Sequence, residues 1–491
     1  MTQLGSTAGL WMLLALAALI VITGLPVWAL LIGVASAFAG AALLGGVFDA
    51  AILAALPTRI VGLLENDLLQ ALPLYVFIGV LLQHLTLADA LFSSFERLFR
   101  RSGAGDSLAA LSVGALIAPM NGSVASSSAL LARLVAPRLD RMNAAGATAL
   151  ISVAATVGVV VPPSLVLILL GDAMLRAHTE ASNLPGFALA NLRIVNTQNV
   201  FHAALAPALA VLVLWALVAW WQGRKFSTAQ RAARLKWTQW SASLLAVVTI
   251  VALLGAVFMG KMFAVEAAAS GGVALCLVAL ATRALKWLQW REVLADTLSL
   301  SGALFALLVG ATTFSLVFRL LGTDRWIAEL VLGSSLSPAL TAALVLLAVA
   351  LCAWVLDAFE MIFVIIPIVA PALIVKLGDA QQASVLLLLV LQLSFLLPPM
   401  GYAVLMARAR AGLGHVATLS LLRSLWPYLL VQALVTAAVF TAPWTVHQLD
   451  APLSQGVDTT VPSNEELENQ MRDMAQPPEP TEAQSNQTVQ E

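Results

Sequence analysis

Charge is scarce in this chain. Lys, Arg, Asp and Glu make up 10% of its 491 residues, and hydrophobic residues make up 60%. A water-soluble domain with so little charge would expose very large apolar patches, so the composition places the chain in a membrane. Net charge is -1, which removes the electrostatic basis for binding nucleic acid. Only two cysteines are present, Cys276 and Cys352, both in apolar runs. They make neither a metal set nor a disulfide framework and read as small buried hydrophobes. The five histidines are too dispersed to form a ligand set, and His84 reads as an interfacial residue. There is no Gly-rich phosphate loop, no His-Glu-x-x-His and no nucleophile elbow, so no enzyme reading is supported. No Lys or Arg precedes Arg59. A secretory signal would carry a basic start, so the first apolar runs are expected to be retained spans.

What the chain does have is one device twice. Asn121-Gly122-Ser123 interrupts an apolar run, and 41 residues after Asn121 come Pro162-Pro163, flanked by Val161 and Ser164. Asp357-Ala358-Phe359-Glu360 interrupts another, and 41 residues after Asp357 come Pro398-Pro399, flanked by Leu397 and Gly401. A single Pro-Pro in an apolar helix is a kink. Two at equal distance from a polar break suggest a duplicated binding device.

Taken in order, apolar runs predict spans at 10–22, 26–46, 71–86, 146–170 and 200–222, then at 240–260, 262–286, 297–320, 380–407 and 421–443. Residues 47–70 read as a mixed connection and 171–199 as a polar loop. Residues 89–101 and 323–334 read as interfacial amphipathic arms. The stretches 105–140 and 337–375 are too interrupted for simple spans, because each half is shorter than the roughly 20 helical residues needed to cross. A re-entrant helical hairpin solves this, with its non-helical tip buried or lining a wet cavity. The competing reading of 105–140 is one ordinary span with small residues for packing. The expected fold is therefore an all-α polytopic membrane protein with five spans and one hairpin per half. The first half covers 1–222, a basic cytoplasmic linker 223–239, and the second half 240–443. An odd number of spans inverts the second half relative to the first.

Placing the N-terminus outside puts 17 of the 25 Lys and Arg residues on the cytoplasmic side, including Arg408 and Arg410, which satisfies the positive-inside rule. Trp220, Trp221, Trp237, Trp240, Trp287 and Trp290 flank the basic loops as an interfacial belt. From Asp450 to Glu491 there are nine acidic residues and one basic one. Residues 444–491 are expected to be an acidic disordered tail, and both termini are expected to be periplasmic.

Opposed hairpins beside broken helices suit an ion and substrate site. Helix N-termini can hold a carboxylate, and freed carbonyls and hydroxyls can hold Na⁺. No Lys or Arg stands at the tips. Asp357 and Glu360 are intramembrane carboxylates and so functional candidates. Asp357 is favoured as a sodium ligand over a helix cap, whereas Glu360 reads equally as a structural hydrogen-bonding group or a proton carrier. Ser123, Ser126, Ser164 and Ser394 are candidate ligands or packing residues. Gln392 reaches the second site or bonds a neighbouring helix.

These residues resemble the large membrane subunit of tripartite ATP-independent periplasmic (TRAP) transporters over roughly 8–443. The stretches Leu356 to Glu360 and Gln392 to Gly401 are most similar to its mannitol/chloroaromatic or 2-oxo-acid branch, and so is Pro162 to Asp172. The resemblance implies an elevator-type transporter of the ion-transporter superfamily in a bacterial inner membrane, with Na⁺ as coupling ion and no other cofactor. It implies a small four-helix membrane subunit and a periplasmic binding protein that delivers a carboxylate such as a 2-oxo or aromatic acid. It also implies sodium sites at Asn121, Gly122, Ser123 and Val161 to Ser164, and at Asp357 and Leu397 to Gly401. A channel is disfavoured because inverted hairpins would close both sides of a central site. A proton-coupled or stand-alone organic-anion transporter of the same fold is the alternative.

Overall fold

The computed structural model describes residues 3–449, except 48, 66, 86, 122–123, 136–142, 163, 188–195, 225–236, 354, 398–400 and 412–415. The described residues are helical with no strand. In order they form α1 (Gln3–Thr23), α2 (Val27–Leu44), α3 (Ala50–Leu53), α4 (Ala55–Leu64), α5 (Asp67–His84), α6 (Leu87–Leu98), α7 (Gly105–Asn121), α8 (Val124–Val135), α9 (Ala144–Val160), α10 (Leu165–Ala181) and α11 (Thr197–Gly223). There follow α12 (Trp237–Phe258), α13 (Ala264–Ala281), α14 (Trp287–Leu320), α15 (Thr323–Leu332) and α16 (Pro338–Cys352). A three-residue turn α17 (Ala358–Glu360) runs into π-helix at Met361–Ile365 and then α18 (Ile366–Leu377). Last come α19 (Ala380–Leu396), α20 (Tyr402–Ala411) and α21 (Thr418–Thr441).

The helical choice follows from the solvent. In hydrocarbon every backbone polar group must bond within its own segment. Starts are marked by short polar caps ahead of apolar runs. Asn143 Oδ1 accepts from Gly146 N at 2.7 Å, Asn196 Oδ1 from Asn199 N at 2.7 Å, and Asp379 Oδ1 from Gln381 N and Gln382 N, each at 3.0 Å.

Elements from before residue 225 pack on elements from after 236, and the pairs interchange. α2 lies on α14 and α5 on α13; α1 lies on α15 and α12 on α6; α8 lies on α20 and α10 on α18. Three further pairs join positions of equal rank: α5 with α14, α9 with α19, and α11 with α21. Polar side chains tie some of these contacts. Trp215 Nε1 donates to Tyr428 O at 3.0 Å, and Gln392 Nε2 on α19 donates to Thr156 O on α9 at 3.1 Å. The tightest approach is between α7 and α9. A Cβ on Gly114 would strike the Ala154 carbonyl, and one on Gly158 would strike Ala118.

Six helices are long and apolar enough to cross a membrane, or up to eight if each bent pair is one span. The sequence expectation of ten leaves out one of these, Ala358–Leu377, which at 20 residues is long enough to cross although each half of 337–375 was expected to be too short. It adds α1, α12 and α19, whose apolar stretches Thr7–Thr23, Ser243–Phe258 and Ala380–Leu396 are shorter. Four expectations need correction. The connection 47–70 is largely helical, because α3 and α4 fill it. The loop 171–199 starts later, since α10 runs to Ala181 by burying Ala173, Met174, Ala177 and Ala181 on one face. The tail starts later than 444: Pro443–Val446 is a 3-10 turn, Val446 is buried, and His447 Nε2 lies 2.7 Å from Asp379 Oδ2. Both cysteines are half-buried rather than buried. Residues 225–236 and 450–491, which hold most of the basic linker and the tail, lie outside the described residues.

Candidate functional site

The first hairpin is α7 and α8, which pack together. Asn121 ends α7; Gly122 and Ser123 lie outside the described residues. Just past the tip Ser126, Ser127 and Ser128 are all buried. Gln83 Nε2 on α5 donates to Ser126 Oγ at 2.5 Å, and Arg133 lies 3.5 Å from Asp89 on α6. The hairpin is thus anchored to the neighbouring span and to the arm.

Beside it α9 and α10 form one interrupted helix, bent by 43°. Val161 and Ser164 are extended (φ -80°, ψ 115° and φ -116°, ψ 156°) and Pro162 is buried; Pro163 is not among the described residues. Proline removes a donor and blocks the helical bond, which frees carbonyls at the break. Ser164 spans the gap. Its Oγ donates to Val159 O at 2.8 Å and accepts from Leu167 N at 3.2 Å, so it caps one half-helix and holds the end of the other. A void of about 10 Å³ lies between tip and break, lined by Val124, Ser127, Gly158, Val159 and Ser164 among others. That is room for one water-sized occupant.

The second hairpin descends as α16 and returns through the π-helical stretch into α18. Asp357 is half-buried and caps the return, its Oδ1 accepting from Ala358 N at 2.7 Å. Glu360, buried at 6% exposure, accepts from Asp357 N at 3.0 Å through Oε2. The two carboxylates therefore form a reciprocal cap, with Ala358 and Phe359 buried between them. Asp357 does take the capping role that the sequence reading ranked second. The π-helix adds a residue to the turn, a distortion frequent at functional sites. Ser315 Oγ on α14 donates to Phe363 O in that stretch at 3.1 Å.

The second interrupted helix is α19 and α20. Leu397 is extended (φ -89°, ψ 122°), Gly401 is buried, and Pro398, Pro399 and Met400 lie outside the described residues. A Cβ on Gly401 would stand 2.9 Å from Leu397 O, so glycine suits this turn. Ser394 Oγ bonds Leu391 O at 2.7 Å within its own helix. Gln392 bonds the neighbouring helix through Nε2, as above, and its buried Oε1 has no hydrogen-bond partner. The α9–α19 contact brings the two interrupted helices side by side. Ser394 and Ser164 are both used locally, whereas Gln392 joins the two halves.

Sequence reasoning missed two groups. Arg408 enters the sequence reading only as one of the cytoplasmic positive charges. It sits in α20, and its Nε and Nη2 are buried without a hydrogen-bond partner. These two nitrogens form the edge of a guanidinium that clasps a carboxylate bidentately. The second group is a cavity of about 210 Å³ among α4, α10, α14 and the π-helical stretch, which holds Arg59, Arg176 and Arg319. Its only sequence signal is the helical stripe Asp172, Arg176, Glu180 at fourfold spacing.

The comparisons with known proteins agree with this architecture. Residues 13–445 match the family model "Tripartite ATP-independent periplasmic transporter, DctM component". The chain is 22% identical over 390 residues to the C4-dicarboxylate TRAP transporter large permease protein DctM of Rhodobacter capsulatus, covering 77% of this chain and 86% of that one. It is 24% identical over 390 residues to the sialic acid TRAP transporter large permease protein SiaM of Vibrio cholerae, covering 78% and 86%. Among solved structures it is similar to the YdaH transporter of Alcanivorax borkumensis, with TM-score 0.57 and 14% identity over 90% of this chain and 99% of that one. The family match spans both hairpins and both interrupted helices, so the chain belongs to the DctM family of TRAP transporters and is a large permease subunit of the inner membrane, not an enzyme.

Proposed function

We propose that this permease moves a small organic anion inward together with sodium, the anion being delivered by a periplasmic binding protein and the membrane part completed by a small four-helix subunit. The observation that carries this reading is the meeting of the two interrupted helices. α9 and α19 touch, Gln392 bonds Thr156 between them, and each is interrupted on the C-terminal side of that bond. Freed carbonyls at such breaks suit a desolvated cation. The ion-sized void at Ser127 and Ser164 and the capped carboxylate of Asp357 offer one position in each half. An anionic cargo is supported by Arg408, whose carboxylate-clasping edge is buried and unpaired. The interchanging helix pairs support two repeats related by a pseudo-twofold axis, and the excess of Lys and Arg in the expected cytoplasmic loops supports termini on the outside.

Proton coupling is the second reading, favoured by the buried Glu360 carboxyl against Asp357. The experiment is thermal unfolding of the purified chain in NaCl against KCl and choline chloride. A ligand at a hundred times its Kd stabilises the folded state by about 2.7 kcal/mol. A rise specific to Na⁺ is expected. Equal responses to the three salts would reject sodium coupling, and a pH series would then test Glu360.

A further inference from the structure

The cavity among α4, α10, α14 and the π-helical stretch is charged on one side and apolar on the other. On the charged side Arg176 lies 3.1 Å from Asp172, and Arg319 lies 2.6 Å from Glu180. The first pair is internal to α10, and the second joins α14 to α10. Arg59 of α4 also lines the cavity and makes no ion pair among the described residues. Three cations therefore face two anions, and one positive charge is left over. The apolar side is Leu63, Ile362, Phe363 and Pro367. It is held in shape by the Ser315 bond to Phe363 O, and Ser315 lines the same space. The volume is about 210 Å³, equivalent to about seven waters of liquid.

We infer that this cavity binds an organic monocarboxylate with an apolar body. This rests on the reading of the chain as an organic-anion permease and names its cargo class. Arg59 takes the carboxylate, and Arg319 joins it by exchanging Glu180 for the incoming oxygen. The body of the acid lies against Phe363 and Pro367. A ligand pocket of this kind combines an apolar lining with a few placed polar groups. The surplus of one positive charge selects a monoanion, because one carboxylate neutralises the lining and a second would leave it with an uncompensated negative charge. Ile362 and Phe363 of the lining follow Asp357 on the same return leg.

The test is ligand-observed NMR titration of the full purified chain with benzoate, isovalerate, succinate and uncharged benzamide. Benzoate or isovalerate should bind at least tenfold more tightly than succinate and benzamide. Arg59→Gln should weaken benzoate at least tenfold. Glu180→Gln keeps the shape and frees Arg319, so it should tighten benzoate severalfold. Phe363→Leu should weaken benzoate and leave succinate unchanged. Succinate binding as well as benzoate, unchanged benzoate binding in Arg59→Gln, or weaker binding in Glu180→Gln each overturns the proposal. A sodium-specific stabilisation of the unmodified chain with no carboxylate binding leaves the transporter reading standing and removes this one. Benzoate binding with no sodium response upholds this site and rejects sodium coupling alone.

Discussion

At the scale of single residues, the two best-marked side chains of the site are already doing structural work, which sets how they must be tested. Ser164 Oγ both donates and accepts across the first break. Ser164→Ala should therefore lower stability by about 1–2 kcal/mol, the usual loss for a cap, read as a lower melting temperature in detergent. Asp357 is different, because its capping bond needs an acceptor oxygen and not a charge. Asp357→Asn should stay within about 1 kcal/mol of the parent in choline chloride and lose the sodium-specific rise. If that rise persists in Asp357→Asn, the carboxylate charge is not a sodium ligand. The role of Gln392 was only half legible in the sequence, which admitted both a site role and a helix-bonding role. The partner is a backbone carbonyl on α9, and a carbonyl carries no signature in sequence.

At the scale of elements, the polar interruptions in apolar runs fall where α7 gives way to α8 and where α16 gives way to α17, and Pro162 falls at the bend between α9 and α10, because lipid tolerates such interruptions only where they are buried in protein. The helices α6 and α15 were legible for a different reason, through apolar spacing at helical period. The extension of α10 was not legible as drawn, since Asp172, Arg176, Thr179 and Glu180 look like a loop. They lie on one helical stripe while Ala173, Met174, Ala177 and Ala181 are buried. The π-helix at Met361–Ile365 was invisible, because five apolar residues give no hint of one extra residue in a turn. Its test is a deletion. Removing Val364 should let α17 run into α18 as ordinary helix, turning Asp357 by about 100° relative to α18. The chain should still fold, with the sodium response lost; an unchanged response would mean the π-helix is incidental. Close packing gives a second prediction here. Gly158→Ala puts a Cβ into Ala118, and overpacking of this kind costs about 1–3 kcal/mol, measurable as a lower melting temperature beside a neutral Gly33→Ala control, where no atom lies within 4 Å.

For the whole molecule, the chain holds together up to Leu449. Truncation after Leu449 should leave the melting temperature unchanged. Truncation after Ala442 removes the His447 contact to Asp379 and the buried Val446, and should lower stability by about 1–3 kcal/mol. Equal melting temperatures for the two truncations would mean that the 3-10 turn only rests on the surface. The pairing of helices between halves was legible only as a repeat of spacing, since contact partners far apart in sequence are fixed by packing and not by any local pattern.

The two glycines between α7 and α9 carry a consequence for how such a carrier is opened. With Gly114 and Gly158 letting backbone meet backbone, the first hairpin and its interrupted helix travel as one piece, and no doorway can form between them. α16 has no such seat. It packs on α18 and α19 and buries Thr341, Ala342, Leu346 and Val349, but no glycine in it locks backbone to backbone, and Leu340, Leu344, Leu347 and Leu351 on its other side are each about half exposed. Cargo would then enter and leave through one door hung on the second hairpin, with the first acting as its frame. A crosslink of α7 to α9 should leave transport intact and one of α16 to α19 should stop it; arrest by the first crosslink would mean that the frame itself opens.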